Sequence, residues 1–95
     1  MPALKKENLK EKVRRLKGKS LTKEQFFVFS ESLRDLGYYI VNGNNNKLND
    51  YIGYKAFLII DEWENDKGEK IIMEYIYEII NGIERIHIKE VEFIR

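Results

Sequence analysis

Apolar residues near the start of the chain recur at helical spacing. Leu9, Val13 and Leu16 form one narrow stripe, Lys, Arg and Glu occupy the other sides, and Gly18 stands where a left-handed cap ends a helix. This predicts a first helix over Ala3 to Lys17. Three anchors let it rest one side on a body while its basic side stays in water.

The second helix carries a stronger start signal. Thr22 and Gln25 have the spacing of a capping box, and Leu21 can staple against Phe26. Phe26, Phe29, Leu33 and Leu36 follow as a core-facing stripe, Phe27 and Val28 widen it, and Gly37 offers the stop. The linker Gly18 to Leu21 is short enough to fold the two helices into an antiparallel hairpin.

After Gly37 the pattern turns to β. Tyr38 to Val41 reads as a short strand and the asparagine-rich stretch Asn42 to Asp50 as a loop. Tyr54 to Trp63, Glu69 to Ile80 and Ile83 to Ile94 are β-branched and aromatic runs divided by Asn65-Asp66-Lys67-Gly68 and by Asn81-Gly82. The Asn81-Gly82 pair suits a type I′ turn, whose two central residues both need positive φ. It sets Ile80 opposite Ile83, Glu78 opposite Arg85, Ile76 opposite His87 and Glu74 opposite Lys89. Ile71, Met73, Tyr75, Tyr77, Ile79, Ile86 and Ile88 then share the face that receives the helices. The opposite face mixes the Glu78/Arg85 and Glu74/Lys89 pairs with Ile72, Ile76 and Val91. A shift of apolar parity near Lys89 and Glu90 predicts a β-bulge. The Asn65–Gly68 turn leaves two registers open, one with Leu58 and Ile60 toward the helices, the other, with a bulge at Gly68, with Phe57 and Ile59 there.

The fold class expected is α+β: an N-terminal helical hairpin packed on one face of a three- to four-stranded antiparallel sheet, in the order αα-ββββ. Ninety-five residues, 43% apolar and 35% charged, fit a single domain over 1–95, with a basic helix at 1–19, a core helix at 20–37 and the sheet at 38–95. With no cysteine there is no disulfide, thiolate zinc site or cysteine nucleophile, and one histidine cannot build an imidazole metal site. No cofactor or metal is expected. The longest apolar run, Ala56 to Ile60, is far too short to span a membrane, and a cytoplasmic setting is the default expectation.

Charge is balanced only on average. The net charge is +1, yet residues 1–23 hold nine basic and two acidic groups, and the remainder eight basic and fourteen acidic. A basic first helix points to an acidic partner through Lys10, Lys12, Arg14, Arg15, Lys17 and Lys19, with a nucleic acid or nucleoprotein as the first expectation. Such contact would be electrostatic, since no base-reading helix follows.

Other constellations have simpler readings. Arg85, His87 and Lys89 alternate along one strand and would form a cationic row for phosphate or acid–base chemistry, but the facing Glu78 and Glu74 explain them as cross-strand ion pairs. Asp61, Glu62, Glu64 and Asp66 lack the order of a calcium loop. Gly53-Tyr54-Lys55-Ala56-Phe57-Leu58 is similar to the aromatic signature of RNA recognition motifs, but the element order differs from that fold's βαββαβ.

A helical hairpin followed by a small antiparallel sheet resembles the layout of RelE-type ribonuclease toxins, which would imply an RNA-cleaving role for His87, Arg85 and Lys89 with Tyr75 or Tyr77. The layout and the abundance of Lys, Glu, Ile, Asn and Tyr also look like phage or archaeal-virus anti-defence proteins and bacterial immunity proteins, which act by covering a partner. These comparisons rest on layout, so no residues transfer. The sequence thus favours a non-catalytic nucleic-acid-binding protein. The alternative is a stoichiometric protein inhibitor or homodimer using a semi-apolar sheet face with Phe57 or Leu58, Trp63, Ile72, Ile76 and Val91.

Overall fold

A computed structural model describes residues 6–94. The order is α1 (Lys6–Arg14), β1 (Ser20–Thr22), α2 (Lys23–Asp35), β2 (Tyr39–Tyr51), β3 (Tyr54–Glu64), β4 (Lys70–Ile80) and β5 (Ile83–Ile94). The five strands form one antiparallel sheet in the order β1-β5-β4-β3-β2. The predicted helix start at Ala3 lies outside the described residues.

The expected helical hairpin on a three- to four-stranded sheet is therefore corrected in two places. The supposed interhelical linker is a strand: Ser20 pairs with His87, Leu21 with Ile86 and Thr22 with Arg85. Just before it, the Gly18 N–H donates to the Ile88 carbonyl at 2.8 Å and the Ile88 N–H to the Lys19 carbonyl at 2.9 Å. The free edge of β5 needs partners for its backbone, and this segment supplies them, so the two helices are held apart by a strand. The second correction concerns the asparagines. Asn42 to Asp50 is not a loop but the middle of β2, paired with β3 from Tyr39↔Glu64 to Tyr51↔Tyr54. Asparagine disfavours strands on propensity, but β3 requires a ladder on its second side and tertiary pairing overrides the preference. The turn falls instead at Ile52-Gly53, where Gly53 takes φ +79°.

The last hairpin follows the turn chemistry. Asn81 and Gly82 have φ of 50° and 85°, and the pairs Ile80↔Ile83, Glu78↔Arg85 and Ile76↔His87 all form. The bulge also forms, with one consequence: Lys89 is the extra residue, so Glu74 lies opposite Glu90 instead of Lys89. At the other turn, the Gly68 N–H donates to the Asn65 carbonyl, and the buried Asn65 side chain accepts from the N–H groups of Lys67 and Glu69. This is the turn with a bulge at Gly68, and it places Ile59 opposite Tyr75 on the helix side.

α2 starts as its sequence requires, with Thr22 and Gln25 making both bonds of the capping box. Both helices lie on one face of the sheet. Val13 of α1, Leu33 of α2, Trp63 of β3, Ile71 and Met73 of β4 and Ile88 of β5 are all essentially inaccessible. Each such side chain contributes about 1.5–3 kcal/mol by leaving water. Phe26 packs its ring 4.9 Å from that of Tyr75. Phe27 and Val28, expected to widen the buried sector, are exposed, as is Leu36. Phe26, Phe29, Ser30 and Leu33 already fill the sector of α2 turned to the sheet, and a further 100° of rotation per residue carries Phe27 and Val28 away from it.

Candidate interaction surface on the open sheet face

Side chains of one strand alternate between faces, so the register assigns each residue a side. The face opposite the helices receives Tyr54, Ala56, Leu58, Ile60, Glu62 and Glu64 from β3. From β4 it receives Lys70, Ile72, Glu74, Ile76, Glu78 and Ile80, and from β5 Ile83, Arg85, His87, Glu90, Glu92 and Ile94. Among the described residues no element packs over it. Leu58, Ile60, Ile72 and Ile76 form a half-buried apolar centre in which Leu58 and Ile76 are directly paired. The stripe continues to the exposed Ile80 and Ile83 at the hairpin tip.

Carboxylates surround this centre. Glu62, Glu64, Glu74, Glu78, Glu90 and Glu92 outnumber Lys70, Arg85 and His87. Several are engaged: Lys70 Nζ lies 2.9 Å from Glu62 Oε2, and this pairing raises the lysine pKa. Lys17 reaches Glu90 at 3.2 Å. Glu64, the cross-strand partner of Lys70, adds to the field at that lysine, whereas Glu74 and Glu92 form no salt bridge among the described residues. Glu74 and Glu90 face each other as like charges, an arrangement that opposes sheet stability and that Lys17 on Glu90 relieves only in part.

A polar chain crosses one end of the face. His87 Nε2 is 2.7 Å from Glu78 Oε1, and the Tyr54 hydroxyl donates to Glu78 Oε2 at 3.0 Å. The His87 contact, reinforced by Tyr54, holds the Glu78 carboxyl below its ordinary range, while Glu78 in turn raises the Tyr54 phenol. Arg85 does not pair with Glu78, although it lies opposite. Its guanidinium donates to the hydroxyl and carbonyl oxygens of Ser20 on β1. Ser20 is the cross-strand neighbour of His87, but its hydroxyl is held by Arg85 and makes no hydrogen bond to the imidazole among the described residues. The geometry thus joins an imidazole, a carboxylate and a phenol in one hydrogen-bonded chain.

The helix side holds another carboxyl of different character. Asp61 accepts from the Tyr75 hydroxyl at 2.7 Å. Burial raises the Asp61 pKa against the opposing effect of that bond, and the Tyr75 phenol is also raised, first by burial and then by Asp61. Tyr77 is pushed up to about 12, chiefly by its hydrogen bond to Glu84.

The predicted interface residues divide between faces. Ile72 and Ile76 lie on the open face. Phe57 lies on the helix side, its ring stacked 6.1 Å from Tyr77. Val91 pairs with Met73 and packs against the core, because the bulge at Lys89 reverses the parity. Trp63 is only 1% exposed, with the Arg34 guanidinium 5.4 Å from its ring. Its position opposite Ile71 places it inside the core. Leu58 and Ile60 complete the open patch. The register of the Gly68 turn decides their placement, and the sequence admits two registers there.

The basic residues of the first helix do not form one row. At about 100° per residue, Lys10 and Arg14 fall on a different flank from Lys12 and Arg15. Lys10 Nζ and Arg14 Cζ lie 5.8 Å and 5.5 Å from the centre of the Phe93 ring. Arg15 approaches Glu11 at 3.9 Å. Lys17 is paired with Glu90, and Lys19 is exposed beside β1. Lys12 and Arg15 border a surface groove of about 730 Å³ between α1 and α2, lined by Leu16, Leu21, Val28 and Phe29.

The acidic run Asp61, Glu62, Glu64 and Asp66 is split as well, with Asp61 toward the helices, Glu62 and Glu64 on the open face and Asp66 in the turn. No helix among the described residues is long and apolar enough to cross a membrane. Comparison with protein-family models, with curated proteins and with solved structures finds no match.

Proposed function

We propose that this chain is a non-catalytic protein-binding domain that covers a partner with the open face of its sheet. The observation that carries the reading is the combination on that face of an apolar centre, Leu58, Ile60, Ile72 and Ile76, with a carboxylate surround that includes the like-charged Glu74/Glu90 pair. Free in water, such a pair works against the fold by about 0.2–1 kcal/mol. Opposite a basic rim on a second protein it becomes favourable and steers association. The partner is thus a protein surface that is apolar at its centre and basic at its edge, as a stoichiometric inhibitor or immunity protein would meet. Apolar centres enclosed by polar rims are the usual anatomy of protein interfaces.

The nucleic-acid reading ranks below this one. Docking along phosphates draws on several cations presented together, whereas Lys10 and Arg14 lie against Phe93 and Lys17 against Glu90.

A photo-crosslinking amino acid placed at Ile60 or Ile76 tests the choice in cells of the native host. A discrete protein adduct from these positions, absent when the probe stands at Lys12 or Lys19, is the expected result. Adducts to nucleic acid from Lys12 and Lys19, with none from the sheet face, would overturn the proposal.

A further inference from the structure

The two edges of the sheet are finished differently. At one, β5 is covered by the three-residue β1 and by the Gly18 and Lys19 backbone. At the other, β2 runs for thirteen residues with no strand beside its outer edge among the described residues, and residues 39–48 are all exposed. A bare edge of this length is a template for another strand, and natural proteins block such edges with proline, charge or bulges. β2 contains no proline. Its charged residues, Lys47 and Asp50, neutralise each other at 3.1 Å. Its two register shifts, between Ile40 and Asn42 and between Lys47 and Asn49, leave Asn42 to Lys47 regular.

We propose that this segment is a self-pairing edge, on which a second copy of the chain adds its own β2 antiparallel to form a ten-stranded sheet. A two-fold axis perpendicular to the sheet makes the strand face itself and keeps both sets of helices on one side. Centred on Asn44, the pairing sets Asn44 opposite Asn44 and Asn42 opposite Asn46 of the second copy, all on the open face. Each amide carries donors and an acceptor, so the row is complementary to its own reverse. The regular span holds one charged residue, Lys47, so the same centre puts no like charges face to face. The proposal is independent of the partner-binding reading. It adds that the two open faces join into one continuous surface.

The chain has no cysteine, so Asn44→Cys introduces a lone thiol. Directly opposed residues of an antiparallel pair lie about 4.5–5.5 Å apart at Cα, within disulfide range. Under mild oxidation N44C is expected to form a disulfide dimer at least tenfold faster than Lys67→Cys, an exposed control in a turn. Sedimentation of the unmodified protein should give twice 11.4 kDa at micromolar concentration. Asn44→Lys, which sets two cations in contact across the axis, should raise the dimer dissociation constant at least tenfold with an unchanged circular dichroism spectrum. A protein that stays monomeric to several hundred micromolar, or a dimer indifferent to N44K, or an N44C rate no greater than the control, would overturn the proposal.

Discussion

The two faces of the sheet are built from the same four long strands but solve opposite problems. Toward the helices, Trp63, Ile71, Met73 and Ile88 close into a core with almost no exposure. The one carboxyl of β3 on that side, Asp61, is raised in pKa by burial. Away from the helices, Leu58, Ile60, Ile72 and Ile76 stay half-buried among carboxylates, and Glu74 faces Glu90. The helix side is optimised for folding. The open side leaves apolar and like-charged groups at the surface, the character on which the proposed partner binding rests.

Adjacent residues of one strand make the sharpest contrast. Ile71 and Ile72 are identical side chains on opposite faces. Ile71→Ala should cost about 2–5 kcal/mol by removing fully packed methyl groups and leaving a cavity. Ile72→Ala should cost under about 1 kcal/mol, since part of that side chain already meets water. Urea midpoints measure both, and equal losses would erase the distinction between the faces.

Carboxyl groups give the next contrast, through pH. Asp61 has its folded pKa above the ordinary 3.8 because of burial. Its charged form costs stability at neutral pH, and that cost fades as pH falls through the folded value. Asp61→Asn, which keeps an acceptor for the Tyr75 hydroxyl, should raise the urea midpoint at pH 7 and lose that advantage in acid. Glu78 is the reverse case. Held below its ordinary 4.5 by His87 and Tyr54, it contributes stability that is full above that value and is lost as pH falls through the folded one. Glu78→Gln should lower the midpoint at pH 7, with the gap to the parent closing in acid.

Much of the fold could be read from the residues, and the failures have identifiable causes. The capping box, the Asn81-Gly82 turn and the bulge near Lys89 are local devices, each specified by side chains within a few positions of one another, and each forms. Ser20–Thr22 and Asn42–Asp50 are strands for non-local reasons, because exposed backbone on β5 and β3 recruits them. Their own side chains signal linker and loop. The open face was half legible: Ile72 and Ile76 follow from the hairpin register, whereas Leu58 and Ile60 depend on the Gly68 turn. Trp63 and Val91 belong to the covered face for the same reason, since one turn geometry and one bulge set the parity of everything beyond them. The charge asymmetry of the first segment is plain in the sequence, but helical geometry distributes those cations over different neighbours.

The smallest expected change in stability comes from Glu74→Lys, and it bears most directly on the claim that the open face is held for a partner. Replacing one member of the Glu74/Glu90 pair with a cation should stabilise the free chain by a few tenths of a kcal/mol. It should also weaken binding to whatever protein is crosslinked at Ile76 by at least tenfold. A variant that is more stable and binds less well is the predicted outcome. A variant that binds as before, or loses stability along with binding, would contradict it.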